Sequence, residues 1–121
     1  MNAVFDTTML VDYLNGVSGA APEFDHYDRI TISIISWIEV MVGVRTAEEE
    51  AVVRDFLRTF ELRDVDAQIA ERAATIRRSR RIRVPDAIIE ATARELGELL
   101  VTRNSKDFPG DDPGIRIPYV I

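Results

Sequence analysis

The chain has 121 residues, the length of one domain with a core of its own, and its balance of 46% apolar to 30% charged residues is that of an ordinary water-soluble protein. It has no cysteine, which excludes disulfides and thiolate metal sites. A formal net charge of −6 argues against a protein that coats nucleic acid through bulk positive charge, but is compatible with a local carboxylate site that grips a cation.

The opening MNAVFDTTML has neither a basic region nor a long apolar core, so no signal peptide is expected. No run approaches a membrane span. The expectation is one domain over residues 1–121, in a reducing cytoplasm and away from membranes. Ala3–Phe5 reads as a short strand ending at Asp6-Thr7-Thr8. Met9, Leu10, Tyr13 and Leu14 then recur at helical spacing until Asn15-Gly16 stops the pattern. Residues 17–29 are polar with Gly and Pro, and read as loop or a short irregular helix. Ile30–Ile34 alternates apolar with hydroxyl residues, as a second strand does.

Ser36 and Glu39 stand at capping-box spacing before a helix carrying Trp37, Ile38, Val40, Met41 and Val44. Thr46 and Glu49 repeat the capping-box spacing, and Thr46–Phe60 predicts an amphipathic helix whose apolar face is Val52, Val53, Phe56, Leu57 and Phe60. Leu62–Val65 reads as a short strand, and Asp66 caps a helix to about Arg80. Pro85 opens the next helix well, because its missing N–H costs nothing there, and Gly97 suits the position past its end. Leu99–Val101 has the pattern of a buried strand, and the polar loop Thr102–Asp107 follows. Ile115, Ile117, Tyr119 and Val120 read as a last strand, at an edge because of Pro118. Strands alternating with helices predict a parallel sheet covered on both faces.

In such sheets ligands sit beyond the C-terminal ends of the strands. Asp6 follows the first strand, Asp107 follows the strand at 99–101, Glu39 lies in the helix after the second strand, and Asp86 opens a helix. Each has a plain alternative: Asp6 and Asp86 as N-caps, Glu39 as the closing half of a capping box, Asp107 as a loop residue. Together, four carboxylates on one rim would repel and take up protons unless a cation neutralised them. Mg²⁺ or Mn²⁺ prefers such oxygen ligands and can activate water for phosphodiester hydrolysis. Glu90, four residues after Asp86, is read as a solvated acid or a helper ligand, Asp12 as exposed, and His26 as solvent-facing. The arginines at 77, 78, 80, 81 and 83 are the one concentrated basic feature, suited to a phosphate backbone.

The sequence resembles the PIN domain family, and within it the VapC-type toxin ribonucleases of toxin–antitoxin pairs. The resemblance is carried by Asp6-Thr7 with Met9–Leu14, by Ser33, Ser36 and Glu39 at three-residue steps, by Pro85–Ile89 with Ala91-Thr92-Ala93, and by Val101–Asn104 with Asp107-Phe108. It implies a three-layer α/β/α fold with a mainly parallel sheet of about four to five strands. It also implies an acidic pocket for Mg²⁺ or Mn²⁺, RNA cleavage, a homodimer, and silencing by a cognate antitoxin. By motif position Asp6, Glu39, Asp86 and Asp107 take the catalytic, metal-binding roles, with Thr7 and Thr102 as supporting hydroxyls. Many PIN domains have an Asp where Asn104 stands, so Asp107 ranks first for the last acid and Asn104 second. Two rival expectations are a degenerate PIN domain that only binds partners and, from Asp6-Thr7-Thr8 after a strand, a haloacid-dehalogenase-like phosphatase.

Overall fold

A computed structural model describes residues 1–121. In chain order the elements are β1 (Asn2–Phe5), α1 (Thr7–Leu14), α2 (Ala20–Phe24), β2 (Arg29–Ser33), α3 (Ile34–Val42), α4 (Ala47–Leu57), β3 (Glu61–Arg63), α5 (Ala67–Ser79), α6 (Val84–Leu96), β4 (Leu99–Val101) and β5 (Ile115–Arg116). The five strands form one sheet in the order β3-β2-β1-β4-β5, and every pairing is parallel. This is the expected α/β architecture with helices on both faces of the sheet.

Side-chain alternation along β1 divides the core in two. Val4 joins Leu100 and Ile115 under α5 and α6, packing against Ile69, Ala73, Ala87 and Ile89. Ala3 and Phe5 point the other way and join Ile32 and Val101 against Met9 and Leu10 of α1, Val40 of α3, and Val53 and Leu57 of α4. The aromatic rings of Phe5, Phe24 and Tyr27 close this second core edge-to-face. β1 lies at the centre because the chain builds β2 and β3 on one side, then crosses back through α5 and α6 to β4. The strand order therefore reverses at β1, and the crevice beyond its C-terminal end is the natural binding position in such a sheet.

Part of 17–29 is the short helix α2, one of the two forms expected there. Other elements differ from the sequence reading. The cap of α3 is Ser33, whose Oγ accepts from the Ile35 N–H at 3.0 Å, and not Ser36, which is buried inside the helix. The predicted strand thus ends one residue earlier, because the Ser33 hydroxyl reaches a helical donor first. The other two caps stand as expected: Thr46 accepts from Glu49 N–H at 3.1 Å, and Asp66 from Ile69 N–H at 2.8 Å. Val52 is 64% exposed, so the apolar face of α4 is narrower than its composition implies. The last strand is shorter than expected, Ile115–Arg116, and Tyr119 leaves the sheet to pack its ring on Gly19. Gly97 takes φ +65° past α6, the left-handed turn that glycine allows without a Cβ clash.

Phe108 is fully buried beside Val4, Ile89 and Leu100, and it anchors the loop after β4. Phe108→Ala is expected to lower unfolding free energy by about 3–4 kcal/mol in urea titration. A loss below about 1 kcal/mol would contradict this packing.

Candidate active site

Asp6 stands where β1 ends and α1 begins. Its backbone still belongs to the sheet, with its N–H donating to the Val101 carbonyl at 2.9 Å. It holds the N-cap position of α1 as expected, but it is 2% exposed and its side chain makes no capping bond, so capping does not account for the carboxylate. Oδ2 instead accepts two hydroxyls, Thr8 Oγ1 at 2.7 Å and Thr102 Oγ1 at 2.8 Å. The register that pairs Phe5 with Val101 is what sets Thr102 beside Asp6. No cation is paired with this buried carboxylate. Burial pushes its pKa above the usual value, against the opposing pull of the two hydroxyls.

Asp86 lies in the first turn of α6, not at its cap, and is 3% exposed. Burial raises its pKa, and repulsion from Asp6 and Asp107 adds to the effect; Arg83, whose Nε donates to Asp86 Oδ2 at 3.2 Å, works against it. Asp107 accepts from Asn104 Nδ2 at 2.9 Å, while its own N–H donates to Asn104 Oδ1 at 3.3 Å. The two candidates for the last acid therefore form one unit. Asn104 is in turn fixed by its N–H donating to Thr102 Oγ1 at 3.0 Å. Glu39 accepts from Thr7 Oγ1 at 2.7 Å, and the same hydroxyl lies 2.9 Å from Ser36 Oγ. Asp6, Asp86 and Asp107 are thus electrostatically coupled, with Glu39 acting on Arg83 from the facing helix. No three acidic side chains stand close enough together to grip one ion in this arrangement.

Other acids and arginines depart from expectation. Asp12 is 3% exposed, not solvated: it accepts from Arg103 Nε at 2.9 Å and Nη2 at 3.0 Å, and from Tyr119 Oη at 2.9 Å. Glu90 is also buried and not solvated. Both its oxygens accept from Arg80, and Arg94 Nη2 lies 3.4 Å away, so it is matched by cations of the chain itself. Arg80 also donates to the Asp107 carbonyl at 3.4 Å, which takes it out of the free basic cluster. Of the remaining arginines, 77, 81 and 83 line an open cleft with Ile82 and Asp107, whereas Arg78 turns to Thr75. Glu23, which nothing in the sequence pattern marks, is buried against Arg116, Tyr27 and His26. Thr8 also escapes a sequence reading, and Ser36, expected there as a cap, instead meets the Thr7 hydroxyl.

The two buried aspartates of α1 and its cap have opposite consequences for stability. Folding penalises a charged Asp6, and the penalty grows as pH rises from 3.8 through its raised folded value. Asp6→Asn should therefore be more stable than the parent at neutral pH, with the difference vanishing near pH ~3. Burial also works against charge on Asp12, but the bonds from Arg103 and Tyr119 outweigh it and hold its pKa below the usual value. Its contribution is present above 3.8 and is lost as pH falls through the lowered folded value. Asp12→Asn should cost on the order of 2 kcal/mol at neutral pH. Thermal melts of both variants across pH check the contrast, and a destabilised Asp6→Asn would refute it.

Known proteins share this fold. The profile of the PIN domain matches residues 3–109. The chain is 40% identical to a chain solved in a toxin–antitoxin complex from Klebsiella pneumoniae, with a TM-score of 0.91 over 98% of this chain and 99% of that one. It is 25% identical to a chain of DNA-bound VapBC from Salmonella typhimurium, with a TM-score of 0.77 over 100% of this chain and 97% of that one. FitAcB from Neisseria gonorrhoeae, 20% identical with a TM-score of 0.79 over 98% of each chain, shares the fold. No curated protein sequence matches. The chain belongs to the PIN domain family, and within that family it resembles the VapC-type toxins.

Proposed function

We propose that this protein is the toxin of a toxin–antitoxin pair and acts as a Mg²⁺- or Mn²⁺-dependent endoribonuclease. The PIN domain profile and the likeness to chains of toxin–antitoxin complexes support a toxin nuclease role and an antitoxin partner. The observation that carries the metal reading is the pair Asp6 and Asp86. Both are buried and both have raised pKa values, Asp6 through burial and Asp86 through burial and then repulsion from Asp6. A buried pair of this kind costs stability unless it serves something, and a divalent cation is the ligand that reverses the cost. The donor set fits: it is all oxygen, and both hydroxyl bonds to Asp6 fall on Oδ2, so Oδ1 takes neither.

Asp6 and Asp86 would hold the ion, with Glu39 and Asp107 completing its surroundings or recruiting a second. Bound there, a divalent cation lowers the pKa of water and polarises phosphoryl oxygens. Thr8 and Thr102 fix the Asp6 carboxylate in one rotamer. Thr7 holds Glu39 Oε1, leaving Oε2 to orient a water or take its proton. Arg77 and Arg81 line the cleft next to Asp107, where a phosphate backbone would run. They offset locally the repulsion that a net charge of −6 imposes on RNA. A homodimer would extend the same groove. No helix is long and apolar enough to cross a membrane.

The absence of three closely spaced acids favours one second reading, a PIN domain that only binds partners. Calorimetry with Mn²⁺ separates the two, since the scaffold reading expects no uptake. Asp6→Asn should retain the fold and lose RNA cleavage and toxicity by about a hundredfold or more. A purified variant that cuts RNA as fast as the parent would sink the assignment. Arg77→Glu with Arg81→Glu should weaken RNA binding and flatten its salt dependence, while Mn²⁺ affinity does not fall. Unchanged RNA affinity would remove these arginines from the groove.

A further inference from the structure

Arg83 is an unexpected residue for its position. It is the N-cap of α6, where the helix dipole disfavours a cation and where a Ser, Thr, Asp or Asn would close a backbone donor. Its side chain makes no capping bond. It turns instead to Asp86, with Nε 3.2 Å from Oδ2, and remains 69% exposed while the Asp86 side chain is 5% exposed. The charges that favour its protonated form come from Asp86 first, then from Glu39 and Asp107. Those are three of the four acids of the proposed site, so the guanidinium sits where their fields converge.

On the metal-site reading above, on which this rests, the geometry points to Arg83 as an internal counter-ion: it holds Asp86 while the site lacks a divalent cation and is displaced outward when one binds. A guanidinium and a divalent ion repel at contact distance, so a cation on Asp86 weakens the bond from Arg83 to the same carboxylate. The arginine can leave, because its side chain is 69% exposed and already reaches water, and the incoming cation takes over the charge of the buried carboxylate. The direction of exit is set by the surface: Arg83 lines the open cleft with Arg77, Arg81 and Asp107. Once released, it adds a third guanidinium to the face where a phosphate backbone approaches. Cation uptake and assembly of the basic face are then one event. Arg80 takes no part, since Glu90 and the Asp107 carbonyl already engage its guanidinium.

The test is calorimetric titration of the full chain with Mn²⁺, comparing the parent, Arg83→Gln and Arg81→Gln. Arg81 is exposed and lines the same cleft, so it reports the general field without the contact to Asp86. Arg83→Gln is expected to bind Mn²⁺ roughly fivefold more tightly than the parent, and Arg81→Gln less than twofold. The Mn²⁺-induced rise in melting temperature should also be larger for Arg83→Gln than for the parent. A parent that binds Mn²⁺ with an Arg83→Gln variant no tighter than the Arg81→Gln control overturns the counter-ion role and leaves the proposed nuclease standing. If neither the parent nor Arg83→Gln takes up Mn²⁺, the metal site fails and the counter-ion role fails with it.

Discussion

The parallel pairing of β1 with β4 is the constraint on which the site depends. It sets Phe5 against Val101, so that the first residue beyond each strand, Asp6 and Thr102, meet at the C-terminal rim of the sheet. Nothing local in either segment brings them together; they are 96 positions apart in the chain. The register is fixed because both strands are buried on two faces, with Val4 and Leu100 on one side and Phe5 and Val101 on the other. A slip of one residue would exchange those faces and separate the aspartate from its hydroxyls. Asp6 and Thr102 are therefore positioned by the centre of the sheet.

Around that centre the protein distributes its charges unevenly. Asp12 and Glu23 are buried with full cationic and hydroxyl partners, which offsets their desolvation. Glu90 is similarly met by Arg80 and Arg94, and Arg94 continues to Asp112 at 2.6 Å ahead of β5. These ties clamp both ends of the loop that carries Asn104 and Asp107: Arg103 to α1 at one end, Arg80 and Phe108 to α5 and the core at the other. Asp6 and Asp86 are treated differently. Asp6 has only neutral donors, and Asp86 has a single exposed arginine. That contrast within one molecule separates structural acids from functional candidates better than burial does, since all of them are buried.

The same contrast reshapes the basic cluster. Along the chain, the arginines from 77 to 83 form one run. In three dimensions they separate: Arg80 stabilises the loop, Arg83 faces the acids, and Arg77 and Arg81 stay free beside the cleft. A chain of net negative charge thereby presents a local positive border next to its acidic rim.

The sequence by itself determined the elements and their class. Helical spacing, the caps Thr46 and Asp66, Pro85 and Gly97 are local signals, and local geometry is enough to act on them. It also determined the resemblance that singles out Asp6, Glu39, Asp86 and Asp107, because motif order survives in one dimension. Only the tertiary structure decided what each acid meets. Asp12 and Glu90 read as solvated because helical periodicity reports the face a residue takes, not the charge of the neighbour that covers it. Their partners, Arg103 and Arg80, come from other elements and are legible only after folding. The choice between Ser33 and Ser36 as the cap of α3 turned on which hydroxyl reaches a free backbone donor, a distance no spacing rule contains. The link between Asn104 and Asp107 was likewise invisible in the sequence, where the two appear as alternatives; the loop bends them into one hydrogen-bonded unit.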